Sequence, residues 1–228
     1  MTSSAAVIFD MDGCLVDSEP LSLEVIANEM QSLGIQDADI NDVRSRFLGV
    51  SIQDICKNIT ERLGRPCPDD FIDRVENHLL AEYQTRLTKI AHVDELLDRL
   101  SKQGIKTALA TGSSLRRMRK TLELSNLLPR FDGTAFSADQ VENGKPAPDL
   151  FLLAAQKIGV DPKDCVVVED SPHGVKGAIA AGMKAIGFVG GTHLDDIRDY
   201  QTNLLQVAGA SVILHDLQDV GDEIIGQS

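Results

Sequence analysis

The sequence predicts an α/β fold: a doubly wound parallel sheet, Rossmann-like, with a helical cap domain inserted after its first strand. Three observations predict it. Short apolar runs at residues 5–9, 105–110, 134–136, 166–168, 185–189 and 212–214 alternate with helical patterns, as in a parallel sheet covered on both faces. The helical patterns at 93–103, 149–158 and 172–181 each stop at a glycine, Gly104, Gly159 and Gly182, where a left-handed C-cap is expected. Between residues 17 and 88 the alternation lapses and no convincing strand is found.

Taken in order, the first run, Ala5-Ala6-Val7-Ile8-Phe9, ends in Asp10-Met11-Asp12-Gly13. The strandless segment follows, with amphipathic patterns at 21–33, 52–63 and 70–87, punctuated by Gly34, Gly49 and Pro66-Cys67-Pro68. The expected division is residues 1–16 and 89–228 for the α/β core and 17–88 for the cap. Both ends of such an insertion lie beside Asp10 and Asp12, so it can act as a lid. The pattern at 93–103 carries Leu96, Leu97 and Leu100 on one face, and the one at 172–181 opens with a proline in its first turn.

Composition narrows the function. The chain has 228 residues, 43% of them hydrophobic, enough to form a core. Its formal net charge of −13 argues against a nucleic-acid or membrane-surface partner, both of which reward clustered Lys and Arg. The same charge repels a phosphate at long range, so a phosphate site needs local cations. No apolar stretch is long enough to span a bilayer, and Met1-Thr2-Ser3-Ser4 lacks the basic region of a secretory signal. The four cysteines, Cys14, Cys56, Cys67 and Cys165, show no CxxC spacing and read as reduced thiols of a cytoplasmic protein. No extra interface segment is evident, which points to a monomer.

Four places carry candidate chemistry, each just after a predicted strand, the edge where open parallel sheets bind ligands. Asp10 and Asp12 are two carboxylates held close, which favours a hard cation such as Mg²⁺ beside them. One can serve as a nucleophile and the other as a proton donor. Thr111-Gly112-Ser113-Ser114 offers a hydroxyl, a close backbone approach and helix N–H groups, an anion cradle. Lys145, between Gly144 and the stiffening Pro146 and Pro148, can neutralise a phosphate. Glu169-Asp170-Ser171 repeats the paired acids; Asp170 suits a direct metal ligand and Glu169 an outer position. Each also has a plain reading, as a strand-end turn, an N-cap, a loop lysine or a helix cap. Four plain readings at one sheet edge form an improbable coincidence.

The ordered set Asp10-Met11-Asp12-Gly13, Thr111, Lys145, Glu169-Asp170 resembles the haloacid dehalogenase-like superfamily, specifically its capped phosphatases. The resemblance covers essentially the whole chain and reaches the subgroup holding β-phosphoglucomutase, phosphoglycolate phosphatase and sugar-phosphate phosphatases. It implies a Mg²⁺-dependent phosphomonoester hydrolase acting on a small phosphorylated metabolite. Asp10 would form an aspartyl-phosphate, Asp12 would act as acid and base, and Thr111, Gly112, Ser113 and Lys145 would bind the phosphoryl oxygens. The metal would be held by the Asp10 carboxylate, the Asp12 carbonyl and Asp170. Arg46-Phe47-Leu48-Gly49-Val50-Ser51 is expected as a recognition turn between cap helices.

The sequence departs from the mutase pattern. That pattern places a His on the first cap helix and an Arg after the Gly-Val-Ser turn; here Ser22 and Ile52 stand there. Cys14 replaces the commoner Thr or Val. Mutase activity is therefore the alternative to hydrolysis. Dehalogenation fits poorly, because Asp12 and Asp170 are both present. A receiver-type phospho-acceptor domain fits poorly too, because the order of its acids is inverted. A catalytically dead binding protein is disfavoured because no reactive group is missing. The cluster Arg116, Arg117, Arg119 and Lys120 reads as a solvated helix face, His173 as a helix N-terminal residue, and Gly190-Gly191-Thr192-His193 as a loop.

Overall fold

A computed structural model describes residues 5–47, Val50 and residues 52–226. The chain divides into two compact units, Met1–Asp17 with Thr88–Ser228, and Ser18–Leu87.

The first unit is built on six parallel strands: β1 (Ala6–Phe9), β2 (Lys106–Thr111), β3 (Ala135–Ser137), β4 (Cys165–Glu169), β5 (Lys184–Phe188) and β6 (Val212–Leu214). Their order is β3-β2-β1-β4-β5-β6. The chain winds outward from β1 to β3, then returns to the other side of β1 and winds out to β6. The switch falls between β1 and β4, the crevice where a doubly wound sheet opens at its carboxyl edge. Phe9, the last residue of β1, pairs with Leu109 on one side and Val168 on the other, so β2 runs on to Thr111 and β4 to Glu169 beyond it.

Successive residues of a strand point to opposite faces, yet Ala6, Val7, Ile8 and Phe9 are all fully buried. Both faces of the sheet are therefore covered. Helix α7 (Asp149–Ile158) packs on β1–β3, and α8 (Pro172–Ala180) on β4 and β5; α9 (Arg198–Ala208) lies against β5 and β6. Helix α5 (Val93–Lys102) packs on β2 and against α10 (Leu217–Gly226), burying Leu96, Leu97 and Leu100. Gly159 caps α7 in the left-handed region at φ 67°, a conformation glycine adopts without a Cβ penalty. Helix α6 (Leu115–Leu124) follows β2 directly. Phe9 meets Phe131 edge to face, with ring centroids 6.5 Å apart.

The chain leaves and re-enters this unit at neighbouring points. The Asp17 amide donates to the Thr88 carbonyl at 2.9 Å, and Val16 bridges Lys89.

The second unit holds α1 (Glu19–Ser32), α2 (Ile40–Phe47), α3 (Ile52–Leu63) and α4 (Phe71–Arg86). Helices α1 and α4 pack together, and the buried Glu29 of α1 accepts from Arg74 and meets His78 Nδ1 at 2.6 Å. Sequence periodicity missed α2. Its buried apolar residues are only Val43 and Phe47, and charge pairing does the rest: Asp39 caps the Asp42 amide at 2.8 Å, and Asp42 pairs with Arg46 at 2.5 Å and Arg62 at 2.6 Å. Arg46 and Phe47 thus belong to a helix, not to the expected recognition turn. Phe47 is buried and Arg46 is exposed. Leu48, Gly49 and Ser51 of that expected turn lie outside the described residues.

Ile8 sits at the centre of the middle strand. Ile8→Ala is expected to destabilise the protein by about 2–5 kcal/mol, read as a lower urea midpoint at unchanged slope.

Candidate active site

Asp10 follows β1 without a break in the ladder. Its amide donates to the Val168 carbonyl at 2.9 Å, which brings Asp10 alongside Glu169 at the switch point. The chain then folds sharply back: the Leu15 amide donates to Met11 O at 2.9 Å and the Gly13 amide to Val16 O at 2.8 Å. Gly13 is required by this turn. It has φ 78°, and a Cβ there would stand 2.1 Å from Asp170 Oδ2.

Lys145 lies between two acids. Its Nζ donates to Asp10 Oδ1 at 2.5 Å and also to Glu169 Oε1, with the Phe151 ring 5.2 Å away. Glu169 uses its other oxygen to accept the Ser171 amide at 2.9 Å. It therefore holds Lys145 directly, a contact additional to the outer metal position expected for it. Gly174 of α8 makes room: a Cβ there would fall 1.7 Å from Glu169 Oε1. Asp10, Glu169 and Asp170 are all buried. Burial pushes the Asp10 carboxyl well above the usual range; Lys145 opposes this, while Glu169, Asp170 and Asp12 add to it. Glu169 is raised for the same first reason. Burial works against the Lys145 ammonium, but Asp10 and Glu169 outweigh it and raise its pKa above the ordinary lysine value.

Asp12 occupies a separate set of contacts. Ser113 Oγ donates to its Oδ2 at 2.7 Å, with Thr111 Oγ1 at 3.5 Å from the same oxygen. Arg117 of α6 donates to Oδ1 at 2.8 Å. The loop behind these groups is pinned. Thr111 Oγ1 accepts the Ser113 amide at 3.0 Å, and Ser137 Oγ donates to the Ser113 carbonyl at 2.6 Å. Gly112, between them, is exposed. Two carboxylates two residues apart thus face different partners, the general arrangement by which neighbouring acids take different tasks.

Asp170 is held from the β5 side. Gln201 of α9 donates to its carbonyl at 2.5 Å, and His193 Nε2 lies 3.2 Å from its Oδ2. The plain capping reading holds for Ser171, whose side chain accepts the Gly174 amide at 3.1 Å; Asp170 itself faces Gly13 and His193.

Ligand atoms of Asp10, Asp170 and Cys14 lie within 4.8 Å of one another, and all three residues are buried. The carboxylate oxygens suit a hard cation, and the backbone at Gly13 leaves the space beside Asp170 that a Cβ would fill. Burial, reinforced by Asp170, Asp10 and Glu169, pushes the Cys14 thiol up, so it is a neutral wall of the cluster and the oxygens are its hard donors.

The structure therefore brings Asp10, Lys145, Glu169 and Asp170 into one cluster and Asp12, Thr111 and Ser113 into another. Two residues were misread from sequence and a third was not read at all. Arg117, taken for part of a solvated face, is turned onto Asp12; Arg116 and Arg119 are exposed as expected. His193, taken for a bland loop residue, is buried against Asp170, and Gln201 was not singled out. No local signal separates Arg117 from Arg116, which shares the first turn of α6 and faces solvent. His173 is exposed.

Comparison with known proteins agrees with this architecture. A haloacid dehalogenase-like hydrolase family profile matches residues 5–182. The chain is 35% identical over 182 residues to a phosphorylated carbohydrates phosphatase of Thermotoga maritima, covering 79% of this chain and 83% of that one. It is 33% identical over 183 residues to hexitol phosphatase B of Escherichia coli, covering 79% and 82%. A haloacid dehalogenase-like protein of unknown function from Agrobacterium tumefaciens has a solved structure that superposes with a TM-score of 0.80 at 31% identity, covering 98% of each chain. From its sheet order, the acids at its switch point and these likenesses, the chain belongs to the haloacid dehalogenase-like hydrolase family.

Proposed function

We propose that this chain is a Mg²⁺-dependent phosphomonoester hydrolase of small phosphorylated carbohydrates, working through an aspartyl-phosphate on Asp10. The observation that carries the reading is the pairing of a buried Asp10–Lys145–Glu169 cluster with a second acid, Asp12, held separately by Ser113 and Arg117. The substrate class is supported by the two relatives named for phosphorylated carbohydrates and hexitols.

An Asp10 oxygen attacks phosphorus while the phosphorus–oxygen bond to the sugar breaks. Asp12 gives its proton to the departing alkoxide. Water then attacks the phosphorus of the acyl phosphate, Asp12 takes the water's proton, and the Asp10 carboxylate is released with inorganic phosphate. Thr111, the amides after it and Lys145 bind the phosphoryl oxygens as charge redistributes. The carboxylates of Asp10 and Asp170 and the Asp12 carbonyl would hold Mg²⁺, which would supply positive charge against the phosphate. The second unit, Ser18–Leu87, would serve as the cap that selects the sugar.

Three outcomes test this reading. A panel of phosphorylated sugars, hexitols and short organic acids should release phosphate without a bisphosphate activator, and EDTA should abolish release until Mg²⁺ is restored. Turnover only in the presence of a bisphosphate would favour the mutase instead. Asp10→Asn should lower kcat by more than about 10³-fold with no fall in Tm, since it removes one of the acids crowded around Lys145. Gly174→Ala should lower kcat/KM by about 10- to 100-fold by displacing Glu169 and loosening Lys145, read by steady-state kinetics.

A further inference from the structure

We infer that Arg117 is a positioning residue for Asp12, fixing the plane and reach of the carboxyl group that serves the leaving alcohol. The inference rests on the reading of Asp12 as the proton donor.

Arg117 reaches Asp12 across 105 residues of sequence, so the contact is a product of the fold and not of local geometry. Its backbone is fixed first. Ser114 caps α6 by accepting the Arg117 amide at 3.0 Å, and Asp139 accepts the Leu115 amide at 2.8 Å. The side chain then runs inward, with 18% of it exposed, to Asp12, with 12% exposed. Its neighbours in the basic run go elsewhere: Arg116 and Arg119 face solvent, and Lys120 pairs with Glu123 at 2.9 Å.

Two features separate this contact from an ordinary surface ion pair. The first is location. A cation in the first turn of a helix sits at the unfavourable end of the dipole, so helix stability does not account for it. The second is division of labour. An aspartate carboxyl rotates broadly about its last bond. Here Ser113 holds Oδ2 and Arg117 holds Oδ1, so each donor removes the freedom the other leaves. A guanidinium does this better than an ammonium because its donors lie in a fixed plane. The group thereby fixed is the one whose placement governs proton delivery, and proton transfer is steeply sensitive to misplacement.

The test compares kcat/KM for a sugar phosphate the protein turns over with kcat/KM for p-nitrophenyl phosphate. The sugar alkoxide needs a proton to leave; p-nitrophenolate does not. Asp12→Ala is the reference. Arg117→Met, and Arg117→Gln as a second neutral variant, should lower kcat/KM for the sugar phosphate by about 10- to 100-fold and for the aryl phosphate by less than about threefold. Arg117→Lys should restore part of the loss. Equal losses on both substrates with a raised KM would make Arg117 a phosphate contact and overturn the inference, as would equal losses accompanied by a lowered Tm. If Asp12→Ala discriminates between the two substrates and the Arg117 variants do not, the inference alone falls. If Asp12→Ala itself fails to discriminate, the assignment of Asp12 falls and the inference with it.

Discussion

One lysine organises this site. Lys145, with 10% of its side chain exposed, sits between Asp10 and Glu169, two carboxylates brought by adjacent strands to the point where the sheet reverses its winding. A buried acid without a partner takes up a proton; a buried pair persists only with good geometry and further hydrogen bonds. Here the geometry is supplied from several directions. The ladder continues through Asp10, the Ser171 amide satisfies the free oxygen of Glu169, and Gly174 removes the side chain that would push Glu169 aside. Acids still outnumber the cation, and burial, with a smaller push from the neighbouring acids, raises Asp10 and Glu169. A site with that imbalance favours an added cation.

The second constraint is separation. Asp10 and Asp12 are close in sequence, yet the sharp turn through Gly13 sends them to different partners. Asp10 meets Lys145, whereas Asp12 meets Ser113 and Arg117. In the proposed reaction one acid must stay a nucleophile while the other handles protons. Distinct surroundings make that division possible without any change in residue type.

Much of this was legible in the sequence, for physical reasons. Strands buried on both faces must be apolar throughout, so β1, β2, β4 and β5 stood out, and Val212–Leu214 was read with its bounds intact. Glycine marked the helix ends because few other residues take positive φ, and Gly104, Gly159 and Gly182 all do so. Acids at strand ends were conspicuous because they interrupt apolar runs. The strand order was not legible, because crossover direction leaves little trace in composition. Helix α2 was missed because ion pairs, not apolar spacing, hold it. Arg117, His193 and Gln201 were missed because each gains its meaning from a partner far along the chain. A basic helix face and a glycine-rich loop look the same whether or not an aspartate waits across the fold.

The central claim is that the crowded acids around Lys145 form a cation site. Titrating Mg²⁺ into the protein by calorimetry tests it most directly. The account predicts saturable binding at a single site, and it predicts that Asp170→Asn abolishes this binding. No saturable binding, or binding unchanged by Asp170→Asn, would contradict it.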